Sequence, residues 1–300
     1  MLEVIKSGSK INFVSKFKVC TILSSILVIG SIILVFKQMQ YGVDFRGGAE
    51  IQAKFNQKLD LNDLRKTMGQ AGFKGILVQT IGEVENHEFL LKVQAEASEL
   101  NQMTSRVEQT LNDKYASIGV IIEKVDIVGP KAGAQLRFSG FLAMFWALLS
   151  IMFYIGLRFH VKYSPGAIVA LFHDVSIVLG VYALTGTEFT LQTVAAILAV
   201  IGYSVNDTVI VYDRVREHES KFAGIDLKNH INNAINETLS RTILTSATTL
   251  FVTIIMLVMG GLAIKDFFLA MTVGIIVGTY SSIFVAAPIT LFFEKFVKSK

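Results

Sequence analysis

Asp207 sits inside residues 189–212, a stretch apolar enough to cross a bilayer as a helix. About 20 residues rising about 1.5 Å each span the hydrocarbon core. An ionisable group there costs at least about 2.5–3.5 kcal/mol on insertion scales, so it is expected to face a polar interior and to serve a function. The chemistry a lone carboxyl offers in that setting is proton uptake and release. Ser204 lies three residues back on the same helical face, and Tyr203, Asn206 and Thr208 flank the acid. A blander reading places Asp207 near headgroup level, because Asp213, Arg214 and Arg216 follow closely. Asp has a short side chain and snorkels poorly compared with Lys or Arg, which favours the interior position.

Two further charged residues join it. Asp174, beside His173, falls near the middle of the apolar run 165–184, where it either carries protons or makes a structural hydrogen bond within the bundle, His173 included. Arg241 opens the run 242–261, with Thr242, Thr245 and Ser246 beyond it. An arginine at a helix end is ordinarily a topological anchor; its long side chain also allows it to turn inward and meet an acid on a neighbouring helix. The connection LTGTEF between the runs holding Asp174 and Asp207 is short, so these two helices are expected to pack and to place the carboxylates in neighbouring layers.

The rest of the chain must hold these groups in a membrane. Of its 300 residues 52% are hydrophobic and 17% charged, with mean hydropathy +0.54, too apolar for an ordinary soluble protein. The net charge of +4 needs no nucleic-acid partner, because membrane proteins collect Lys and Arg in cytoplasmic loops. Cys20 is the single cysteine and leaves no disulfide possible within the chain. Six spans are expected, at 19–36, 138–157, 165–184, 189–212, 242–261 and 267–292. Residues 1–18, with Lys6, Lys10, Lys16 and Lys18, and 293–300, with Lys295, Lys298 and Lys300, would be cytoplasmic, as would Arg158, His160 and Lys162 between spans two and three. The first run is too long for a signal peptide and no small-residue cleavage site follows it, so it reads as an uncleaved helix. In the cytoplasmic segment 213–241, which holds Lys221 and Lys228, the residues Leu227, Ile231, Ile235 and Leu239 recur every four positions, and Asp226 can cap. An amphipathic helix over 226–240 at the membrane surface is expected. The short outer loops offer only Lys265. In the sixth span Gly274 and Gly278, with Ser281 and Ser282, permit close helix contact.

Residues 37–136 are mostly polar and lie on the far side of the membrane. Strands are expected over 49–55, 76–82, 87–96 and 119–128, and helices over 59–73 and 98–116, capped by Asp60 or Asn62 and by Ser98 and closed by Gly72 and Gly119. The order βαββαβ is that of a ferredoxin-like α+β domain inserted after the first helix, a contact module rather than an enzyme. His87 reads as a surface residue of a hairpin turn. Gly47 and Gly48 before the first strand, and Gly129 with Pro130 after the last, turn the chain between membrane and sheet, with Asp44 as a turn-forming side chain or something more.

Taken together, YGVDFRGG, VGP before span two, FHDVSIVLG, GYSVNDTVIVYDRVRE, TLSRTILTSATTL and GTYSSIF resemble the SecD/SecF family over nearly the whole chain, and within it the shorter SecF members. The family is similar to the RND superfamily of proton-driven transporters. The resemblance implies an RND-type bundle in a bacterial inner membrane, with its soluble domain in the periplasm. It implies assistance to late preprotein translocation, driven by the proton motive force. Asp207 and Arg241 would belong to a proton relay completed by an acid on SecD, with Asp174 at a further family position beside it. The implied partners are SecD, the SecYEG channel, YajC and YidC, and unfolded preprotein, with protons as coupling ion and no cofactor or metal. Two alternatives stand beside it, an RND-type exporter of small molecules or lipids, which would be expected to carry a larger soluble part, and a passive scaffold without a relay. No Ser/His, Asp/Asp or HExxH spacing supports an intramembrane hydrolase.

Overall fold

The computed structural model describes residues 11–73, 76–81, 87–93, 99–159, 161–222 and 224–298. Lys6, Lys10, Ser98, His160 and Lys300, named above, lie outside them. Among the described residues six helices are long and apolar enough to cross a membrane. The first, α1 (Phe17–Gln38), turns its large apolar residues outward, Ile22, Ile26, Ile29 and Phe36 among them, and buries Ser24 and Ser31 against the bundle. This is the pattern expected where lipid, not water, is the solvent and small residues make the helix contacts.

After α1 the chain runs through a short strand β1 (Gln40–Tyr41) and a single helical turn α2 (Val43–Arg46) into the soluble domain. Gly47 (φ +82°) and Gly48 (φ +146°) make the turn. A Cβ on Gly47 would lie 2.7 Å from Pro130 Cα, so both conformation and space call for glycine there. The domain contains β2 (Gly48–Phe55), α3 (Leu61–Gln70), β3 (Leu77–Ile81), β4 (Glu88–Val93), α4 (Leu100–Tyr115) and β5 (Val120–Val128). Asp60 caps α3, accepting from Asn62 N at 2.7 Å. Gly72 and Gly119 adopt positive φ just past the two helices, as C-terminal glycines do. The four strands are antiparallel in the order β3-β4-β2-β5, with a bulge at Gln52/Ala53. Both helices pack on one face around Ile51, Phe55, Leu64, Met68, Leu91, Val107 and Leu111. His87 takes positive φ (+54°), and its carbonyl accepts from Phe55 N.

Gly129 is the N-cap and Pro130 the first residue of α5 (Pro130–Arg158). This helix starts earlier than the expected span at 138, because Pro130 has no N–H to lose at a first-turn position; Gly133 lies against the backbone of α2. Then follow α6 (Ser164–Thr185), a strand β6 (Glu188–Phe189) paired in parallel with β1, and α7 (Leu191–Lys221). Phe189, read as the first residue of span four, therefore belongs with Glu188 to a strand that ties the α6–α7 connection to the end of α1.

Helix α8 (Leu227–Met259) corrects the amphipathic surface helix expected over 226–240. No break separates that segment from span five, and Leu227, Ile231, Ile235 and Leu239 are buried among Val211, Tyr212 and Val215 of α7. The four-residue repeat faces another helix, which supplies the apolar partner that a lipid surface would otherwise have supplied. The last span consists of α9 (Leu262–Ser281), a π-helical segment Ser282–Ala286 and α10 (Ala287–Lys298), a break within the expected 267–292. Helix α6, helix α7 and the last span are the most enclosed of the bundle.

Candidate functional site

Asp174 and Asp207 are buried in the bundle, with 0% and 1% of their surface exposed. A buried carboxyl needs partners, and the two differ sharply in having them. Asp174 on α6 is served from three sides. Its Oδ2 accepts from Ser204 Oγ of α7 at 2.5 Å and from Ser281 Oγ of α9 at 2.8 Å, and Oδ1 lies 2.9 Å from Nδ1 of His173. Asp207, one turn along α7 from Ser204, has an Oδ2 that meets no hydrogen-bond partner. Ser246 and Arg241, both on α8, are its neighbours across the helix interface.

The close approach of helices that brings these groups together depends on glycine. A Cβ at Gly274 would run into the Val200 side chain, and one at Gly278 would lie 3.0 Å from Ser204 Cβ, so α9 lies directly on α7 only because both positions are bare. Gly274, Gly278 and Ser281 follow a spacing of four then three and share one face of α9. That spacing was the available signal for Ser281 as a donor to Asp174, a role its small size alone did not disclose. Beside the carboxylates a file of hydroxyls crosses three helices: Tyr203 donates to Ser246 at 3.5 Å, Ser246 shares a hydrogen bond with Thr279 at 2.8 Å, and Thr279 donates to the Ile275 carbonyl.

The other residues singled out from the sequence are placed as follows. Ser204 serves Asp174, not Asp207. Thr208 donates to the Ser204 carbonyl at 3.3 Å, and Asn206 is exposed on the opposite side of α7. Thr245 donates to the carbonyls of Arg241 and Thr242 in its own helix, while Thr242 is buried with an unpartnered hydroxyl. Arg241 is exposed and forms no ion pair with Asp207 within 4.0 Å among the described residues. It lines a groove of about 460 Å³ together with Tyr154, Arg158, Asp213, Arg214 and Glu237. The direct Asp207–Arg241 contact expected from reach is thus open here, with Arg241 exposed in the wall of that groove. Asp44 is more than a turn former: its Oδ2 accepts from Leu191 N at 2.9 Å, capping the helix that carries Asp207. Thr190 and Thr193 complete a reciprocal capping box at the same end.

The serines around Asp174 donate to the carboxylate and not to the imidazole, so this is no nucleophile–base pair. The arrangement holds a buried carboxyl in place between three helices.

The family model of the SecD/SecF protein export membrane protein C-terminal region matches residues 107–296, and that of the SecD/SecF GG motif matches residues 32–58. The protein translocase subunit SecF of Calditerrivibrio nitroreducens is 40% identical over 95% of this chain and 95% of its own length. The SecF of Rickettsia bellii is 37% identical over 99% and 98%. The crystal structure of SecDF, a translocon-associated membrane protein from Thermus thermophilus, overlays with a TM-score of 0.83 at 32% identity. That overlay covers 96% of this chain and 39% of the longer SecDF chain. A SecDF structure in a super-membrane-facing form gives a TM-score of 0.74 at 32% identity. This chain is therefore a polytopic helical membrane protein that belongs to the SecD/SecF family of protein export membrane proteins.

Proposed function

We propose that this chain is the SecF-type subunit of a Sec translocase accessory complex. It pairs with SecD and uses the proton motive force to promote late preprotein translocation through SecYEG, in company with YajC and YidC. The observation that carries the reading is the unpartnered carboxylate oxygen of Asp207 within the bundle, beside Ser246 and within electrostatic range of Arg241.

Desolvation and the Arg241 charge act in opposite senses on whether Asp207 keeps its proton, so a modest movement of α8 against α7 changes the balance. With the carboxylate charged, Arg241 is drawn inward from its groove; with the carboxyl neutral, it returns to water. At 100 mV a charge crossing the membrane is worth about 2.3 kcal/mol, enough to bias a two-state equilibrium more than tenfold. The movement has a route to the soluble domain, since α7 begins on the Asp44 cap and follows the β1–β6 pair. In this reading the domain is ferredoxin-like and periplasmic, both termini are cytoplasmic, and the domain holds emerging preprotein against backsliding together with that of SecD. Protons are the coupling ion, and the chain is not itself an enzyme.

The test is gradient-dependent export of a preprotein into inverted inner-membrane vesicles, comparing wild type with Asp207→Asn while SecD assembly is monitored. Loss of the gradient's stimulation with the complex intact supports the relay. Unchanged stimulation makes Asp207 structural and the chain a scaffold.

A further inference from the structure

Glu237 on α8 is held from α7 by two side chains. Its Oε2 accepts from Arg214 Nε and lies 3.0 Å from His218 Nε2. Four residues beyond Glu237 on α8 comes Arg241, and an acid followed by a cation at that spacing is the order in which the two meet on a helix face. Both line the groove of about 460 Å³ described above. Its lining includes three carboxylates, on Asp213, Glu217 and Glu237, and three guanidinium groups, on Arg158, Arg214 and Arg241. The three acids are not equally provided for. Asp213 pairs with Arg158 and Arg216, at 3.5 and 2.7 Å. Glu217 pairs with Arg214 and Lys221, at 2.5 and 2.6 Å. Glu237 shares Arg214 with Glu217, and its other partner, His218, is a cation only when protonated. Of the three carboxylates it is the one without a permanent cation of its own. Arg241, exposed in the groove wall, meets neither Glu237 nor Asp207 within 4.0 Å among the described residues.

We propose that Glu237 is the outer station of Arg241: the guanidinium pairs with Asp207 when that carboxyl is charged and with Glu237 when it is neutral. Resting on the proton-coupled reading above, this gives Arg241 a defined partner in the groove. Two acids competing for one cation make its position depend on the charge of either. Arg214 and His218 hold Glu237 in place while Arg241 is away, so the carboxylate is neither left without a partner nor free to follow the guanidinium inward. Glu237 is thereby a positioning residue. It passes no proton itself and acts on Asp207 through Arg241. Without it the guanidinium has one station, stays beside Asp207 and holds that carboxyl in its charged form. A partly exposed pair of this kind shifts an equilibrium by about two- to fivefold.

The test uses the chain assembled with SecD in inverted vesicles and takes two readings per assembled complex. One is the gradient-dependent increment in preprotein export; the other is the gradient-dependent infrared carboxyl band that Asp207→Asn removes. Glu237→Gln is expected to lower both by about two- to fivefold. The Glu237 side chain is 40% exposed, so glutamine is accommodated there without loss of fold. Glu237→Asp, which keeps the charge on a shorter side chain, should recover part of each reading. Glu217→Gln removes the same charge from the same groove but leaves the station, and should keep both readings at the wild-type level. Wild-type behaviour of Glu237→Gln, a loss of export with an undiminished band, or equal losses for Glu217→Gln and Glu237→Gln overturns the proposal. If Asp207→Asn abolishes the export increment while Glu237→Gln behaves as wild type, the relay stands and the outer station alone has failed; if Asp207→Asn leaves the increment unchanged, the relay reading itself has failed.

Discussion

Both hydroxyls that reach Asp174 act on the same oxygen, Oδ2, and come from different helices. Removing one leaves the other in place; removing both strips that oxygen bare in a buried setting. Ser204→Ala and Ser281→Ala are each expected to lower unfolding stability by about 1–3 kcal/mol. The double variant should cost more than the sum of the two, because the sites share one partner. Denaturation of the purified chain in detergent checks this, and strict additivity would show that the two serines act independently. At this scale the sequence disclosed the ionisable residues and little of their pairing. Asp174, Asp207 and Arg241 stand out because charge is rare in an apolar run, but which serine serves which acid depends on helix rotation. Ser204, three residues from Asp207 and on its face, donates across the interface to Asp174 instead.

The packing of α9 on α7 brings Ser281 and Ser204 to the same carboxylate oxygen of Asp174. Gly278→Val places a branched side chain against Ser204, where a bare Cβ already comes within 3.0 Å. Overpacking of about 1–3 kcal/mol and a lowered melting temperature are expected. Gly69→Ala in α3, where nothing lies within 4 Å of the added carbon, should gain about 0.5–1 kcal/mol in the same assay. Asp44→Ala removes the carboxylate that caps Leu191 and should cost about 0.5–2 kcal/mol, with faster hydrogen exchange in the first turn of α7 and little change elsewhere. The elements themselves were mostly legible. Alternation and glycine punctuation placed the strands and helices of 48–128 in order, and the apolar runs placed the spans. What failed was the meaning of the repeat Leu227, Ile231, Ile235 and Leu239. A four-residue apolar period reports that one face is covered and cannot say whether lipid or a neighbouring helix covers it. The two-residue pairing of β1 with β6 was too short to carry any pattern.

Across the whole molecule the soluble domain is fastened to the membrane bundle at a few points, and one of them is ionic. Lys92 on β4 reaches Glu188 in the α6–α7 connection at 2.6 Å and Glu50 on β2 at 3.2 Å. Burial pulls the Lys92 ammonium toward its neutral form, but the hydrogen bond to Glu188 and the charges of Glu50 and Glu188 outweigh it and leave its pKa raised. On the lysine side the bridge's contribution is therefore complete below the ordinary lysine value and fades as pH rises through the raised one, so pH changes near neutrality leave it in place and strong alkali weakens it. Lys92→Met leaves Glu188 without its cation and should cost about 1.5–3 kcal/mol. It should also raise protease sensitivity between domain and bundle, and a variant as resistant as wild type would mean that the β1–β6 pair and the Asp44 cap hold the domain alone. Such fastening is what a proton-driven movement in the bundle needs if it is to reach the domain. Whether Asp207 changes its proton during that movement is read most directly by infrared difference spectroscopy of the SecD-bound chain in membranes, as a proton gradient is imposed and collapsed. A relay through Asp207 predicts a carboxyl band that rises and falls with the gradient and disappears in Asp207→Asn. A gradient-dependent spectrum that Asp207→Asn leaves unchanged would contradict it.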